Sequence, residues 1–355
     1  MKIVLATGIY PPEIGGPATY VEALAREFVD AGHEVVVVAY GADRSDAVES
    51  GKWKVSFVSR RGGPPARWCR YGSVLNDVAK DADIVEAFSS MSCGVPVMFS
   101  DAKKPKKVLR LGGDFFWERY TDRGGMRGLK DWYAGRPWSR FFVQKILRSF
   151  DHIVFSTRFE EEMYEEQYAL PPHSVIENAV PAGSPVLHHR HEPLRLLFMG
   201  RFVGFKNLPA LLKAHEGLPE VQLTLVGSGP MEAKLRRLAA GSVTFLPPVS
   251  GAEKARVFAE QDLLILPSIT ELSPHVALEA RAAGLPVLLT RATGLSETLT
   301  RGMVLADLST PERITEAVRR VQAEYDAVAQ AAASVLPVRG WADISREHLS
   351  LFAHL

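Results

Sequence analysis

Residues 2–40 read KIVLATGIYPPEIGGPATYVEALAREFVDAGHEVVVVAY, and this stretch decides the fold class. Two continuous apolar runs, residues 2–7 and 34–40, flank an amphipathic segment at residues 17–31 that Gly32 closes. A continuous apolar run predicts a strand buried on both faces, and the 3.6-residue periodicity between the runs predicts a helix. Strand, helix and strand in this order predict an α/β protein with a doubly wound parallel sheet.

The same alternation continues along the chain with one interruption. Further apolar runs that predict strands lie at residues 83–88, 107–113, 152–157, 195–201, 221–227, 242–247, 262–268 and 285–290. Residues 178–194 carry Pro, Gly and His without periodicity, which is typical of a linker. A chain of 355 residues also exceeds what one hydrophobic core usually supports. We therefore predict a Rossmann-like domain at residues 1–178, a linker at 179–194, a second Rossmann-like domain at 195–336 and a final helix at 337–355.

Composition is ordinary for a globular enzyme, with 46% hydrophobic and 23% charged residues. The net charge of +1 gives no indication of nucleic-acid binding, and no apolar run has membrane-spanning length. Cys69 and Cys93 lack metal-binding spacing, which favours a reducing cytoplasm. Asp81 and Asp83 precede a strand, and the His residues of the linker lack accompanying carboxylates or thiols, so we predict no metal site.

Two segments are locally basic: residues 60–72, which include Trp68 and Tyr71, and residues 103–107. They could contact anionic lipid headgroups, which would place the protein peripherally at the inner face of a membrane. The interpretation that we favour is a solvated loop before a strand.

In doubly wound sheets, ligands bind beyond the carboxyl ends of the strands, and two such domains facing each other form a cleft. The segment ELSPHVALE, residues 271–279, has this position and predicts a helix start. Ser273 is a suitable N-cap, and Pro274 suits the first helical position. The amides of His275 and Val276 would then form an anion site at the positive end of the helix dipole.

Two carboxylates flank this helix start, Glu271 before it and Glu279 inside the helix. Carboxylates are poor ligands for phosphate, but they accept hydrogen bonds well from the vicinal hydroxyls of a sugar. An anion site between two hydroxyl acceptors fits a nucleotide-diphosphate sugar. A capped surface helix with two unrelated Glu residues is the alternative.

Cations and glycines occur in three other loops of this kind. Arg201 and Lys206 follow one predicted strand, and together they suit a diphosphate that gains charge as it leaves. Gly227 follows another strand, and Gly15 and Gly16 follow the first; each site fits either close approach of a ligand or a tight turn. The dinucleotide fingerprint would need a third Gly where Glu232 stands, so a bound NAD is not predicted.

Together these motifs resemble the retaining GT-B glycosyltransferases of family 4 over essentially the whole chain. The resemblance is carried by PPEIGGPATYVEALAREFVDAGHEV, VIENAVP, LLFMGRFVGFKN, LTLVGSGP and LLILPSITELSPHVALEARAAGLPVLLT. It implies a GT-B fold, in which two doubly wound Rossmann-like domains face a central cleft. The first domain would face the acceptor, the second would bind the donor, and the final helix would return to the first domain.

The resemblance also implies a role for each candidate residue. Arg201, Lys206 and Glu271 would be catalytic, the two cations holding the donor diphosphate and the carboxylate contacting the transferred sugar. The donor-binding residues would be Gly15, Gly16, Gly227, Pro248, Val249, Ser273, Pro274, His275, Val276 and Glu279. Among these, Gly16 would approach the diphosphate, Glu279 would accept from the ribose hydroxyls, and Pro248 and Val249 would meet the base through their backbone.

The chain departs from the family pattern in two places. Leu272, Ser273 and Pro274 stand where many members have Gly-Phe-Gly, which changes the shape of the sugar pocket. No His follows residues 108–111, where many members have one; Asp114 is the nearest polar residue, with Trp117 and Glu118 assigned to the acceptor or donor-sugar side.

The function implied is transfer of a sugar, with retention, from a nucleotide-diphosphate sugar to a saccharide, lipid-linked or small-molecule acceptor. The expected mechanism is front-face attack without a divalent metal, and no cofactor is expected besides the donor substrate. A nucleotide-sugar epimerase or a phosphorylase on the same fold is the second hypothesis. A non-catalytic nucleotide-sugar-binding protein is the third.

Overall fold

A computed structural model of the chain describes residues 1–41, 48–50, 52–101, 104–135, 138–180, 183, 185–239, 241, 243–335 and 339–355. Contacts between residues divide the chain into two compact units. Unit 1 comprises Met1–Phe115, Arg136–Asn178 and Trp341–Leu355, and unit 2 comprises Phe116–Gly135 and Ala179–Gly340.

Each unit is built on one sheet, and the strands follow the apolar runs of the sequence. The strands are β1 (Lys2–Thr7), β2 (Glu34–Gly41), β3 (Val48–Ser50), β4 (Trp53–Ser59), β5 (Ile84–Ala87), β6 (Lys106–Leu111), β7 (His152–Phe155), β8 (His173–Val175), β9 (Leu194–Met199), β10 (Val221–Val226), β11 (Val243–Leu246), β12 (Leu263–Leu266), β13 (Val287–Thr290) and β14 (Val304–Ala306). All the strands predicted from the sequence are present.

The helices alternate with these strands. They are α1 (Gly16–Asp30), α2 (Pro64–Ala79), α3 (Val95–Met98), α4 (Phe115–Asp122), α5 (Leu129–Ala134), α6 (Arg140–Leu147), α7 (Arg158–Gln167), α8 (Leu208–His215), α9 (Glu232–Leu238), α10 (Gly251–Ala259), α11 (His275–Ala282), α12 (Glu297–Thr300), α13 (Pro311–Ala323), α14 (Tyr325–Ala333) and α15 (Trp341–Ala353). A π-helical turn, Ser90–Gly94, precedes α3, and a 3₁₀ turn, Gly204–Lys206, precedes α8.

The sheet of unit 1 has the order β3-β4-β2-β1-β5-β6-β7-β8. Only the β3–β4 pairing within it is antiparallel among the described residues. From β1 the chain proceeds to one side through β2 and β4, and it then returns to β5 on the other side. The strand order therefore reverses between β1 and β5, and the loop from β1 to Gly15 leaves the sheet at this point.

The final helix α15 packs against α1 within unit 1. Tyr20 Oη lies 3.1 Å from His348 Nε2, and the rings of Phe28 and Phe352 are 5.9 Å apart. His348 Nδ1 is also 3.2 Å from Glu86 Oε1, and both side chains are fully buried. This polar contact within an apolar interface attaches the C-terminal helix to the domain that begins the chain.

The sheet of unit 2 is parallel and has the order β11-β10-β9-β12-β13-β14. From β9 the chain proceeds outward through β10 and β11, and it then returns to β12 on the other side of β9. Leu196 and Leu197 of β9 pair with Leu263 and Leu264 of β12, and all four are fully buried. The strand order of unit 2 therefore reverses between β9 and β12.

One exchange between the units differs from the predicted domain boundaries. Residues 116–135 belong to unit 2, although they lie within the predicted N-terminal domain. The Trp117 ring lies 5.3 Å from the Phe205 ring, and the Gly204 amide donates to Asp122 Oδ1 at 3.0 Å. Apolar packing and a hydrogen bond between residues far apart in the sequence hold this segment in unit 2. Such contacts cannot be predicted from local sequence patterns.

The basic segment at residues 60–72 is not the loop that we predicted. Helix α2 begins at Pro64, and Tyr71 is fully buried with its Oη 3.1 Å from Thr7 O and 2.6 Å from Val38 O. Because this ring lies inside the sheet layer, Tyr71 is not part of a lipid-facing surface. In the second basic segment, Lys103 lies outside the described residues. No helix in the described part of the chain is long and apolar enough to cross a membrane.

Candidate functional site

The predicted donor-site residues of unit 2 all lie at the carboxyl edge of its sheet. Arg201 and Lys206 follow β9, Gly227 follows β10, Pro248 and Val249 follow β11, and Glu271 and the start of α11 follow β12. Because β9 and β12 are neighbours, the loop with the two cations and the loop with Glu271 are adjacent. This is the point of a doubly wound sheet where a crevice forms and ligands bind.

Lys206 and Glu271 form an ion pair across the two loops. Lys206 Nζ donates to Glu271 Oε1 at 2.8 Å and to Oε2 at 2.7 Å, and Ser268 Oγ donates to Oε2 at 2.5 Å. The two charged side chains are only 11% and 7% exposed. The carboxylate thus accepts three hydrogen bonds from two groups and retains capacity for one more. Sequence reasoning selected both charges but missed their direct pairing and Ser268.

The backbone holds the two loops together. The Ile269 amide donates to the Phe205 carbonyl at 2.8 Å, which links the residue before Lys206 to the loop of Glu271. Asn207 follows Lys206 in the left-handed region, with φ at 55°, which Asn tolerates better than most residues. Its buried Nδ2 donates to Leu308 O at 3.2 Å. Asn207 therefore positions Lys206, and the conformational preference of Asn is the signal that would have identified it.

Arg201 differs from Lys206 in its surroundings. Its side chain is exposed, and within the described part of the chain no carboxylate oxygen lies within 4.0 Å of its guanidinium. The forked guanidinium is suited to bidentate binding of a phosphate. Of the two predicted cations, Lys206 is therefore paired with a carboxylate, whereas Arg201 is available to an incoming anion.

Helix α11 begins one residue later than the sequence predicted. Pro274, not Ser273, is the N-cap; its ψ of 104° is extended, so helical dihedrals start at His275. The amides of Ala277 and Leu278 donate to Pro274 O at 3.1 and 3.4 Å. The amides of His275 and Val276 come earlier in the first turn, where no preceding helical carbonyl is placed to accept from them. Amides in this position at a helix start are the donors that an anion site uses.

Glu279 has a partner that the sequence did not indicate. Lys254 of α10 donates to Glu279 Oε1 at 2.8 Å, and the two side chains are 21% and 18% exposed. The remaining carboxylate oxygen keeps its acceptor capacity, and the ammonium fixes the rotamer of Glu279. Lys254 was missed because nothing in its local sequence distinguishes it from a solvated lysine on a helix.

Gly227 has a packing role. Its φ is 146°, and a Cβ there would lie 1.9 Å from Gly200 O. The carbonyl of the neighbouring loop therefore occupies the space that a side chain would need, and this requirement for Gly is independent of any ligand. Near it, Val249 is buried in the core of unit 2 and Pro248 is exposed, so a ligand at this edge would meet the backbone of Val249.

The remaining predicted residues are divided between the units. Gly15 and Gly16 lie in unit 1, where Gly15 is the extended N-cap of α1 and Gly16 its first residue. Asp114 lies in unit 1, whereas Trp117 and Glu118 lie in unit 2. Trp117 is buried, and its Nε1 donates to Arg127 O at 2.9 Å. Its indole therefore packs inside unit 2.

Asp114 belongs to a buried acidic cluster of unit 1. It accepts from Tyr164 Oη at 2.9 Å, and Glu160 accepts from Ser156 Oγ at 3.2 Å. Burial raises the pKa of Glu160 to about 7; hydrogen bonds from Ser156 oppose this shift, and the charge of Asp114 adds to it. Glu160 Oε1 is buried and is one of the described side-chain oxygens without a hydrogen-bond partner.

The residues that could suggest a metal have other partners. Asp83 Oδ2 accepts from the Lys2 amide at 2.9 Å, and His191 Nδ1 lies 2.7 Å from Asp262 Oδ1. In the described ranges, no three His, Cys, Asp or Glu side chains are grouped as metal ligands would be.

Two family models match complementary parts of the chain. One, described as "Glycosyl transferase 4-like domain", matches residues 15–179, and the other, "Glycosyl transferases group 1", matches residues 193–324. Between them they include every residue proposed for the site. The D-inositol 3-phosphate glycosyltransferase of Pseudarthrobacter chlorophenolicus is 40% identical over 109 residues. That match covers 27% of this chain and only 26% of the relative.

Solved structures resemble the chain over its full length. Sucrose-phosphate synthase from Thermosynechococcus elongatus superposes with a TM-score of 0.83 at 20% identity, over 99% of this chain and 98% of that one. Alr3699/HepE from Anabaena in complex with UDP-glucose superposes with a TM-score of 0.75 at 14% identity, over 100% of both chains. At these identities the likeness shows the fold, which is the GT-B type predicted from the sequence.

The Lys206–Glu271 pair should be strongly coupled. We expect Lys206→Met and Glu271→Gln each to lower the free energy of unfolding by about 3 kcal/mol, because each leaves a charge or donor buried without its partner. The double variant should lose about 2 kcal/mol less than the sum. Urea denaturation of the four proteins measures this. The exposed pair of Lys213 and Glu216, in the same unit, is the control and should show no measurable coupling. Strict additivity at Lys206 and Glu271 would contradict the pairing.

Glu160 should make the stability of unit 1 depend on pH. Its folded pKa of about 7 exceeds the ordinary value of 4.5, so the folded chain binds more protons between these values. The free energy of unfolding should therefore fall as pH rises through this window. We expect Glu160→Gln to match the wild type near pH 4.5 and to be more stable by about 3 kcal/mol above pH 7. Denaturation at several pH values tests this, with the exposed Glu162→Gln on the same helix as control; parallel profiles for wild type and Glu160→Gln would refute it.

Proposed function

Because the chain belongs to the group 1 glycosyltransferases, we propose that it transfers a glycosyl group from a nucleotide-diphosphate sugar to an acceptor hydroxyl. The observation that carries this proposal is the set of charges at the strand reversal of unit 2. There, Arg201, the Lys206–Glu271 pair and the first turn of α11 lie on adjacent loops. Cations and amides at one point suit a diphosphate, and a carboxylate beside them suits sugar hydroxyls.

The donor contacts follow from the same arrangement. Arg201 and the amides of His275 and Val276 would bind the diphosphate, and Glu271 would accept from the hydroxyls of the transferred sugar. Glu279, fixed by Lys254, would accept from the ribose. The backbone beside the exposed Pro248 would meet the base. The complex of Alr3699/HepE with UDP-glucose supports this class of donor.

The proposed chemistry is front-face substitution with retention. A retaining double displacement would need a carboxylate nucleophile with a second carboxyl group about 5 Å away. Glu271 is instead held by Lys206 and Ser268, and Glu279 is held by Lys254. In the proposed step, the bond from the anomeric carbon to the phosphate oxygen breaks and the acceptor oxygen bonds to the same face. The departing phosphate oxygen takes the acceptor proton.

The two cations stabilise this step in different ways. Negative charge accumulates on the departing diphosphate, so a cation near it favours the transition state over the bound substrate. Arg201 is available to the diphosphate directly. Lys206 is shared with Glu271 and attracts the diphosphate more strongly as its charge grows. These charges come from the chain itself, and the proposed step needs neither a divalent metal nor a cofactor.

The acceptor is proposed as a saccharide, a lipid-linked glycan or a small molecule. A cytoplasmic location and a peripheral contact with a membrane stay predictions at this point. The epimerase, phosphorylase and binding-protein hypotheses share the donor site and differ in the acceptor reaction, so turnover assays separate them.

Arg201→Ala should abolish most of the transfer activity. The donor class is first identified by thermal shifts with UDP-, GDP-, ADP- and TDP-sugars, and transfer is then measured with a panel of acceptors. We expect kcat/KM to fall about 10²–10³-fold, because one charge-stabilising donor is lost. Arg237→Ala, an exposed arginine in the same unit, should leave activity unchanged. A near wild-type rate for Arg201→Ala would exclude the diphosphate role. Isomerisation of the donor alone would indicate an epimerase, and donor binding without turnover a binding protein.

Glu279→Ala should remove discrimination between ribose and deoxyribose. We expect the wild type to bind the nucleoside diphosphate about 10–100-fold more tightly than its 2′-deoxy form. The 2′-deoxy form lacks the hydroxyl that would donate to the Glu279 carboxylate. Titration calorimetry should show this ratio falling to within about threefold in Glu279→Ala. The exposed neighbour variant Glu253→Ala should keep the full ratio. An unchanged ratio in Glu279→Ala would place the ribose elsewhere.

A further inference from the structure

Helix α6 of unit 1 and the residues that flank it carry two exposed aromatic rings and two exposed cations, which we call the α6 stripe. Trp138 is 80% exposed and Phe141 is 90% exposed, and Lys145 and Arg148 are also exposed. The flanking residues Ser139 and Arg148 share right-handed helical dihedrals with α6. The spacing of four and three residues therefore aligns Phe141, Lys145 and Arg148 along one side of the helix, and Trp138 lies in the turn that leads into it.

The rest of α6 is held firmly by unit 1. Val143, Ile146 and Leu147 are buried on the inner face. On the flank, Arg140 Nη2 donates to Gln167 O at 2.8 Å, and Gln144 Nε2 donates to Ala169 O at 2.8 Å. The α6 stripe is thus a fixed outward surface of a packed helix.

The exposure of the two rings is unusual for this chain. Of the large apolar side chains that the structure describes, Phe141 and Trp138 are the two most exposed. A single exposed apolar residue needs no explanation, but two exposed aromatic side chains three residues apart leave a substantial apolar area in water. Aromatic side chains of this kind are enriched where a protein meets the headgroup region of a bilayer.

The charge around the rings determines which surface they fit. Residues 138–150 contain Arg140, Lys145 and Arg148 and no Asp or Glu, in a chain whose net charge is only +1. The acidic residues of the neighbouring element, Glu162, Glu165 and Glu166, belong to α7, beside the flank that Arg140 contacts. Lys145 and Arg148 therefore extend the aromatic end of the α6 stripe with local positive charge, which is complementary to an anionic surface.

We propose that the α6 stripe docks on the surface of an anionic lipid bilayer. Trp138 and Phe141 enter the headgroup region, and Lys145 and Arg148 contact lipid phosphates. Helix α6 spans eight residues and is about 12 Å long. Because Phe141, Lys145 and Arg148 are distributed along its length, contact through all three places the helix axis in the plane of the interface. This surface is distinct from the basic segments at residues 60–72 and 103–107. The docking goes beyond the proposed sugar transfer and does not rest on it, because it requires neither donor nor acceptor.

The test is flotation of the full chain with lipid vesicles at low and physiological salt. The probes are vesicles of phosphatidylcholine alone and of phosphatidylcholine mixed equally with phosphatidylglycerol. We expect binding to the anionic vesicles only. Trp138→Ser/Phe141→Ser and Lys145→Glu/Arg148→Glu should each lower the partition coefficient about tenfold or more, and the loss in the charge variant should shrink as salt rises.

Matched controls separate docking from general effects. Phe99→Ser removes a 69% exposed aromatic ring elsewhere in unit 1, and Lys52→Glu/Lys213→Glu makes the same change in net charge at exposed lysines. Both controls should bind vesicles as the wild type does. Circular dichroism and thermal unfolding should be unchanged in all variants, because the altered side chains are exposed.

The outcomes are decisive in both directions. Failure of the wild type to bind anionic vesicles, or wild-type binding by both stripe variants, would overturn the proposal. So would self-association without lipid that Trp138→Ser/Phe141→Ser abolishes, since the occupant would then be a second copy of the chain. Transfer to a water-soluble acceptor should be equal in the stripe variants and the wild type, so this result and the test of the proposed function can fail independently.

Discussion

The adjacency of β9 and β12 is the constraint on which the candidate site depends. In a doubly wound sheet, the strand order reverses between two neighbouring strands. The loops that follow these two strands turn in opposite directions, and a crevice forms between them at the carboxyl ends of the strands. In unit 2 one of these loops carries Arg201 and Lys206, and the other carries Glu271 and leads into α11. The bond from the Ile269 amide to Phe205 O then fixes the two loops to each other. Sheet topology, rather than any single motif, assembles the charges.

Charge pairing organises the site before any ligand is present. Glu271 is held by Lys206, and Glu279 by Lys254, so both carboxylates have defined rotamers. Taking such charges out of water is costly unless each is paired, and the pairing lets them stay largely buried beside the strand ends. Arg201, in contrast to these paired charges, has an exposed side chain. A site with fixed acceptors and one accessible cation is pre-organised for a ligand that carries both hydroxyls and negative charge.

Unit 1 departs from the usual distribution of side chains in two ways, since it buries a polar group and exposes large apolar ones. Inside it, Glu160 is fully buried, and its Oε1 lacks a hydrogen-bond partner. Outside it, Trp138 and Phe141 present large apolar rings to water. Both arrangements cost free energy in the isolated chain, and such departures from the general pattern are expected at functional surfaces. The burial of Glu160 makes the stability of unit 1 depend on pH. The exposure of Trp138 and Phe141 suits an external surface of matching chemistry.

The sequence by itself determined the two parallel sheets, because continuous apolar strands and amphipathic helices are local patterns with characteristic periods. It also selected Arg201, Lys206, Glu271 and Glu279 as candidate site residues, since their position in or directly after loops that follow strands is a local signal. It did not indicate β4, whose residues alternate in burial and include Lys54 and Ser56, or the place of Asp114 beside Tyr164. Only the tertiary structure decided that residues 116–135 join unit 2, that Lys254 holds Glu279 and that Tyr71 points inward. Each of these depends on groups far apart in the chain, and their pairing follows from the order in which the strands assemble.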